Sequence, residues 1–520
     1  MAFARAVATV GGLTAASRVL GFARDVLIAA LLGAGPAADA FFIAFKLPNL
    51  FRRLFAEGAF SAAFVPLFAG LVATRGRAAA ERFAEQSLAW LVGVLLGVTL
   101  AAELAMPAVM VVLAPGFVGD PVRFGLAVGL GRITFPYLLF VALAALLAGM
   151  LNALGRFAAA AAAPILLNLV MIAAVLGLAP QLGDAARALA WGVLAAGMLQ
   201  FLWLVGAARR AGLALRLPRP RPSPTLGRLL RLIGPGALGA GAVQISLAVN
   251  LILASLLAPG AVSYLYYADR LVQLPLGVVG AAIATALLPA LARELGTAGQ
   301  AGAHARLNRA LEGALALTLP AAAGLIVLAQ PIVAVLFERG AFGAAAAAAT
   351  GDALAAFALG LPAYVLVRVL APACFARADT ATPVAVALVA LAFNLALNLV
   401  LLPRFGHVGI ALATAGAGWL NAGLLALALA RRGRLAPDRR LCRRGLGLAG
   451  AAAVMAAAVA LGRHGLAPVL AGPALARGAA LAGLIAGGAA VFVAGAQLAG
   501  ALDAAELWRA LRHGDAAPAA

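Results

Sequence analysis

A chain of 520 residues that is 65% hydrophobic and 11% charged, with a mean hydropathy of +1.05, has too little polar surface to be a soluble globule. Its formal charge of +21 raises the question of a nucleic-acid partner, but the basic residues fall in alternate loops between apolar runs, so topology explains the excess and no nucleic acid is implied. The class that remains is an all-α polytopic membrane protein.

A span takes about 20 apolar residues, and about fourteen segments qualify. They centre near residues 22, 55, 100, 140, 168, 196, 245, 278, 322, 358, 390, 418, 455 and 488. Arg75, Arg77 and Arg82 form one basic loop, and Arg209, Arg210, Arg216, Arg219 and Arg221 form another. A third runs through Arg431, Arg432, Arg434, Arg439, Arg440, Arg443 and Arg444. The loops between them hold little more than Arg123, Arg187, Arg339, Arg404 and Arg463. This alternation predicts an even number of spans with both termini in the cytoplasm. Residues 6–16 could pass for a signal-peptide core, but the apolar run continues into a second span, so no cleavage is expected. Cys374 lies in an apolar span and Cys442 in a basic loop, which suggests no disulfide, and the four histidines are scattered.

The first two spans concentrate ionisable groups: Arg18, Arg24, Asp25, Asp39, Lys46, Arg52, Arg53 and Glu57. Each costs roughly 3 kcal/mol at bilayer depth, so a watered cavity is expected to receive them. At 100° per residue Asp39, Lys46, Arg53 and Glu57 fall within about 40° of one another, a single polar stripe, with Arg52 off it unless Pro48 kinks the helix. Arg18 and Asp25 share a face at a spacing of seven and could pair, while Arg24 points elsewhere; Ser263 and Arg270 share a face in the eighth span. With Arg132 and Arg368 the intramembrane cations outnumber the acids Asp25, Asp39, Glu57 and Asp269, so the cavity is expected to be net positive and to attract an anion. Arginine suits phosphate, because its planar fork donates two parallel hydrogen bonds. Internal ion pairing that merely holds the bundle together is the competing reading. Asn394 and Asn398, one turn apart, and Thr414 on the next span are a candidate sodium site, or a set of interhelical bridges.

Residues 9–45 align with 232–268 at an offset of about 223 residues, and the even number of intervening spans gives both copies one orientation. The expected organisation is an N-lobe of six spans (1–208), a basic Pro-rich cytoplasmic linker (209–227) and a C-lobe of six spans (228–431). A second basic linker (432–444), two further spans (445–500) and a cytoplasmic tail (501–520) follow. Such parallel repeats commonly place the substrate site between lobes. The last two spans are nearly free of charge and would either thicken the bundle or offer a groove to a long hydrocarbon tail.

The stretch from Ser17 to Pro66, SRVLGFARD…ADAFFIAFKLPNLFRRLFAEGAFSAAFVP, closely resembles the signature of the lipid II flippase family (MurJ, also called MviN), and YYADRL at 266–271 with LPLGVVGAAIATALLP at 274–289 resembles its second signature. The resemblance spans essentially the whole chain. It implies the fold of the multidrug/oligosaccharidyl-lipid/polysaccharide exporter superfamily: fourteen spans as two six-helix lobes in a V, plus a C-terminal pair. It also implies a substrate, lipid II (undecaprenyl-diphosphate carrying the disaccharide–pentapeptide of peptidoglycan), moved by alternating access across the bacterial inner membrane. The family's functional cations match Arg18, Arg24, Arg52 and Arg270, its acids Asp25, Asp39 and Glu57, and its polar positions Asn49 and Ser263. The implied substrate-binding set is therefore Arg18, Arg24, Asn49, Arg52, Ser263 and Arg270, with Asp25, Asp39, Lys46 and Glu57 as a gating network. Two positions depart from the pattern: Gln273 stands where some members carry Glu, and Asn398 where a sodium-binding member carries Asp.

The expected partners are lipid II, membrane lipids and the cell-wall synthesis machinery. No P-loop of the form GxxxxGK[ST] is present, so no cofactor is expected, and Na+ or the membrane potential would supply the energy. Two rivals stand beside this reading. Another exporter of the superfamily would, for cationic cargo, carry an acidic cavity. A polyprenyl-phosphate enzyme would carry an acidic metal cluster at a cytoplasmic loop.

Overall fold

The computed structural model describes residues 2–52, 60–213, 216–221, 224–297 and 299–502, and among them it is helical, with one isolated bridge between Arg339 and Phe342 in place of any strand. Two compact units account for the chain: residues 1–263 with Arg339–Gly343, and Tyr264–Glu338 with residues 344–520.

The first unit holds α1 (Ala2–Leu32), α2 (Pro36–Arg52), α3 (Phe60–Arg75), α4 (Arg77–Leu104), α5 (Met106–Leu113) and α6 (Pro121–Thr134). It continues with α7 (Tyr137–Ala153), α8 (Phe157–Ala173), α9 (Ala179–Leu182), α10 (Ala185–Arg210) and α11 (Pro224–Ser255), and it takes the first residues of α12 (Ala261–Thr297). Helix α10 wedges between α7 and α8 because its buried face is made of small residues. A Cβ on Gly192 would meet that of Ala174 at 2.7 Å, and one on Gly197 would meet the Tyr137 ring at 2.5 Å. Close backbone approach through small residues is how helices adhere where lipid removes the hydrophobic drive. Around α3 the core is aromatic instead: Phe64 stacks on Phe60 at 5.3 Å and on Phe83 at 5.4 Å between ring centroids. Helix α11 packs on α3, α4 and α5, so the units part inside α12 rather than at the linker of 209–227. The internal repeat is visible in the helix ends: α1 stops at Leu32 and α11 at Ser255, the same 223-residue offset.

The short segment Arg339–Gly343 joins the first unit by backbone contact with the end of α1. The Ala341 amide donates to the Ala30 carbonyl at 2.7 Å. Both backbones can meet because Gly33 (φ 67°) and Gly340 (φ 57°) adopt the left-handed region and carry no Cβ. Gly340→Ala should therefore lower the thermal unfolding midpoint. The left-handed conformation costs roughly 1–2 kcal/mol for an L side chain before the new Cβ meets the Ala30 carbonyl. Gly343→Ala, with open space at its Cβ, should leave the midpoint where it is.

The second unit contains the rest of α12, then α13 (Gly299–Val327), α14 (Ala329–Phe337), α15 (Ala344–Ala358), α16 (Leu361–Phe375) and α17 (Ala381–Arg431). The helices α18 (Arg439–Gly465), α19 (Ala467–Leu470) and α20 (Ala474–Leu498) complete it. The 51 residues of α17 break at Gly406 (φ 53°, ψ −130°). A straight helix of that length would run roughly 75 Å, far beyond one bilayer crossing, so the break yields two spans. Nine helical segments among the described residues are long and apolar enough to cross a membrane, and α1, α11 and α12 add lengths of 31, 32 and 37 residues. The chain is thus an all-helical, multi-pass membrane protein. The span expected near residue 55 falls partly outside the described residues.

Helices α18 and α20 pack on each other and on α13 through Leu448, Ala452, Met455, Leu484 and Phe492. Gly462 lies under Leu484 (2.8 Å from an added Cβ) and Gly488 under Val459 (2.7 Å), whereas Gly483 and Gly487 face open space. Much of the basic linker is tied down. Glu312 on α13 accepts from Arg309 at 2.5 Å, pairs with Arg440 at 3.5 Å and accepts from Arg444, while Asp438 caps α18 through the Leu441 amide (2.6 Å) and pairs with Arg309. Asp379, at the start of α17, takes the Thr382 amide at 3.1 Å and hydroxyl at 2.9 Å, together with Arg432 and Arg434. The Thr382 amide, then its hydroxyl and Arg432, hold the Asp379 carboxyl below the ordinary carboxylate value against the opposing effect of burial. A depressed folded pKa gives stability that is present at neutral pH and lost as pH falls through it. Asp379→Asn should therefore unfold at a lower temperature than the parent at pH 7, with the two midpoints converging below about pH 4.

Candidate functional site

The first unit contains two buried charge centres, one joining α1 to α8 and one at the start of α12. In the first, Arg24 and Asp25 on α1 are 4% and 2% exposed. The Arg24 guanidinium donates from Nη2 (2.7 Å) and Nε (3.1 Å) to one oxygen of Asp25, and from Nη1 to Asn168 Oδ1 on α8 at 3.0 Å. Asn168 in turn donates to the Ser17 carbonyl at 2.8 Å, one turn before Gly21. Gly21 faces Asn168, and an added Cβ there would sit 3.4 Å from its amide, an ordinary van der Waals contact. The spacing of seven had suggested Arg18 as the partner of Asp25. The long Arg24 side chain instead folds back onto its neighbour, and α8 supplies the second acceptor, while Arg18 is exposed.

The second centre is Asp39, fully buried in the first turn of α2. Its carboxylate accepts from the Gly260 amide (2.7 Å), the Ser263 amide (2.9 Å) and hydroxyl (2.7 Å), and Arg123 Nη2 (3.3 Å). Gly260 and Ser263 flank the first turn of α12, so Asp39 satisfies amides that no helical carbonyl can reach and sits where the helix dipole favours an anion. Arg123 lies 4.0 Å over the Phe117 ring. Its helix α6 is capped by Asp120, whose side chain accepts from the Val122 and Arg123 amides. Asp39 and Ser263 are thus committed to each other in this state rather than lining an open wall.

Beyond Asp39, α2 runs through Pro48, which cannot donate to Ala44. The buried Thr134 hydroxyl takes that place, donating to the Ala44 carbonyl at 3.0 Å. Beyond Pro48, Asn49 donates to the Phe45 carbonyl (2.8 Å) and accepts from Arg52 Nε (3.1 Å). Asn49, Arg52 and Lys46 are half-buried. Arg53 and Glu57 lie outside the described residues.

The pattern that defines the family Lipid II flippase MurJ matches residues 28–471. A probable lipid II flippase MurJ of Rhizobium meliloti (strain 1021) is 47% identical over 525 residues, covering 99% of this chain and 98% of that protein. One from Rhizobium tropici is 45% identical over 100% and 98%, and the lipid II flippase MurJ of Burkholderia cenocepacia is 38% identical over 87% and 88%. The chain belongs to the lipid II flippase MurJ family. Among solved structures, a MurJ in an inward closed conformation superposes with a TM-score of 0.79 at 24% identity over 94% of this chain and 98% of that one. An inward-facing MATE multidrug transporter gives 0.68 at 15% identity over 80% and 94%. The fold is that of the MurJ and MATE transporters, and the chain is a transporter rather than an enzyme.

Within the second unit, Arg270 is half-buried, donates to the Tyr266 hydroxyl at 3.1 Å and lies 4.9 Å from that ring. Asp269 is exposed and accepts from Gln273. Arg368 is exposed and reaches the Leu276 carbonyl at 3.3 Å. In the candidate ion site, buried Asn398 donates to buried Asn394 at 3.0 Å, and Thr414 donates to the Ile410 carbonyl at 2.8 Å, each bond running one turn back along its own helix. Among the described residues no three His, Cys, Asp or Glu side chains are grouped to hold a metal.

Three residues that build these centres were not among those singled out as a site from the sequence: Arg123, Thr134 and Asn168. Two left a trace. Asp120-Pro121 is a helix start that places Arg123 in a first turn, and Pro48 announces an orphan carbonyl in need of a donor. Asn168 sits in an apolar span with no local cue to its partner.

Proposed function

We propose that this chain moves lipid II from the cytoplasmic to the periplasmic leaflet of the inner membrane by alternating access, delivering it to the cell-wall synthesis machinery outside. The observation that carries the reading is the Arg24–Asp25–Asn168 centre together with the more open cations Arg18 on α1 and Lys46 and Arg52 on α2. Arg18 and Arg52, with Asn49 beside it, receive the diphosphate first. Arg24 then exchanges Asp25 for phosphate oxygens, which turns substrate binding into a rearrangement between α1 and α8. Asp39 and Ser263, released from each other, let α12 part from α2. The diphosphate is anionic, so an inside-negative potential assists its outward passage by about 2.3 kcal/mol per charge per 100 mV, and we assign the drive to that potential. The alternation of the basic loops supports a cytoplasmic position for both termini.

The isoprenoid tail is too long and apolar for an arginine-lined path, and it lies along α18 and α20 at the open face of Gly483 and Gly487. Large residues there should cut transport of the full-length lipid several-fold and spare binding of a short-chain diphosphate analogue. Equal loss of both ligands, or of neither, would make the pair structural. The function itself is tested by expression in a host whose own lipid II flippase is depleted. Growth is expected with the parent, and failure is expected with Arg18→Ala or Arg52→Ala at normal membrane levels. Arg→Lys should rescue poorly where bidentate geometry matters. Growth with Arg18→Ala and Arg52→Ala would contradict a role for these arginines in receiving the diphosphate.

A further inference from the structure

Away from both charge centres, the first unit has a cavity of about 600 Å³ formed by α1, the α7–α8 turn and the end of α10. Its floor is apolar: Leu13, Leu151, Ala162 and Ala207. Two arginines, Arg156 and Arg210, stand at its edge, both exposed, and no carboxylate lines it. Arg156 precedes the first turn of α8, which has no side-chain cap, so the opening amides of that helix add their positive end to the two guanidiniums. Trp203 also lines the cavity, 41% exposed, its ring fixed by donation from Nε1 to the Ala159 carbonyl at 3.1 Å. Exposed Trp and Arg at the ends of spanning helices mark the depth of lipid headgroups. The volume is that of a small-molecule site.

An apolar floor with a purely cationic edge fits one chemistry, an acyl chain joined to a phosphate. We infer that this cavity binds an anionic phospholipid of the phosphatidylglycerol type, its phosphate between Arg156 and Arg210 and an acyl chain over Leu13 and Ala162. The lipid would bridge α1 to α8 and α10 at the end of the unit remote from Asp39. A neutral phospholipid lacks the net charge that the two arginines select. Bidentate donation to phosphate oxygens is the bond that arginine makes best.

The test uses the full chain in nanodiscs and tryptophan quenching by phospholipids brominated on the acyl chain. The difference between the parent and Trp203→Phe isolates this ring from the other four tryptophans. Brominated phosphatidylglycerol is expected to half-quench the Trp203 signal at about a ten- to thirtyfold lower mole fraction than brominated phosphatidylcholine, the preference two phosphate-facing arginines should give. Arg156→Gln/Arg210→Gln should bring the two lipids within about twofold, and because both side chains are exposed its unfolding midpoint should match the parent's. Equal quenching by the two lipids in the parent, or a preference that survives in Arg156→Gln/Arg210→Gln, overturns the inference. So does relief of the quenching by undecaprenyl phosphate at lower mole fraction than by unlabelled phosphatidylglycerol, which would hand the cavity to substrate-type lipid.

Discussion

Arg24→Ala is expected to abolish lipid II transport and to lower the stability of the protein by about 3–5 kcal/mol, the usual cost of removing one partner from a buried ion pair. The substitution leaves the Asp25 carboxylate buried without its two guanidinium bonds and removes the bond from α1 to the Asn168 side-chain oxygen. Stability and transport separate in a second variant. Arg24→Leu/Asp25→Leu removes both charges, and apolar replacement of a whole buried pair is often close to neutral for stability. The double variant should therefore unfold near the parental midpoint and still fail to support growth in a flippase-depleted host. If it grows normally, Arg24 is a strut between helices and no part of the substrate grip.

The second large effect is expected at Asp39. Asp39→Asn keeps the shape but replaces an acceptor oxygen with a donor amide, so at least one of the Gly260, Ser263 and Arg123 donors faces another donor in a site with no exposure. A buried guanidinium that loses its counter-charge and amides that lose their acceptor together predict a loss of about 3 kcal/mol or more. They also predict that the first turn of α12 comes away from α2. Ala38 beside it is fully buried, which makes it a reporter. In a Cys442→Ser background, a cysteine at residue 38 should react slowly with a membrane-impermeant thiol reagent, and at least tenfold faster once Asp39→Asn is added. Unchanged reactivity with a lowered midpoint would mean that the centre holds the fold without gating it.

Much of this architecture is legible in the sequence because its causes are local. Hydropathy places the spans, and a 51-residue apolar helix has to break, as it does at Gly406. The repeat offset reappears in the ends of α1 and α11. The charges of the first two spans draw attention to the helices that carry Arg24, Asp25 and Asp39. Pairing is less legible, because it depends on which side chains a neighbouring helix brings. A spacing of seven puts Arg18 and Asp25 on one face, yet Arg24 reaches Asp25 through its own flexible stem once Asn168 steadies the other end. Asp39 shares a stripe with Lys46, yet the start of α12 and Arg123 of α6 bury it. Helical angles fix directions from one axis and carry no information on the helix that lies opposite.

The central claim is that these arginines carry a lipid-linked diphosphate across the membrane. Its most direct test is leaflet exchange of fluorescent lipid II in proteoliposomes containing the purified chain, scored by the fraction of label that an impermeant quencher reaches from outside under an imposed potential. The reading predicts exchange well above protein-free vesicles, faster when the potential drives negative charge in the transport direction, and reduced to the protein-free rate by Arg18→Ala/Arg52→Ala. Exchange that equals the protein-free rate in the parent, or that persists unchanged in Arg18→Ala/Arg52→Ala, would contradict it.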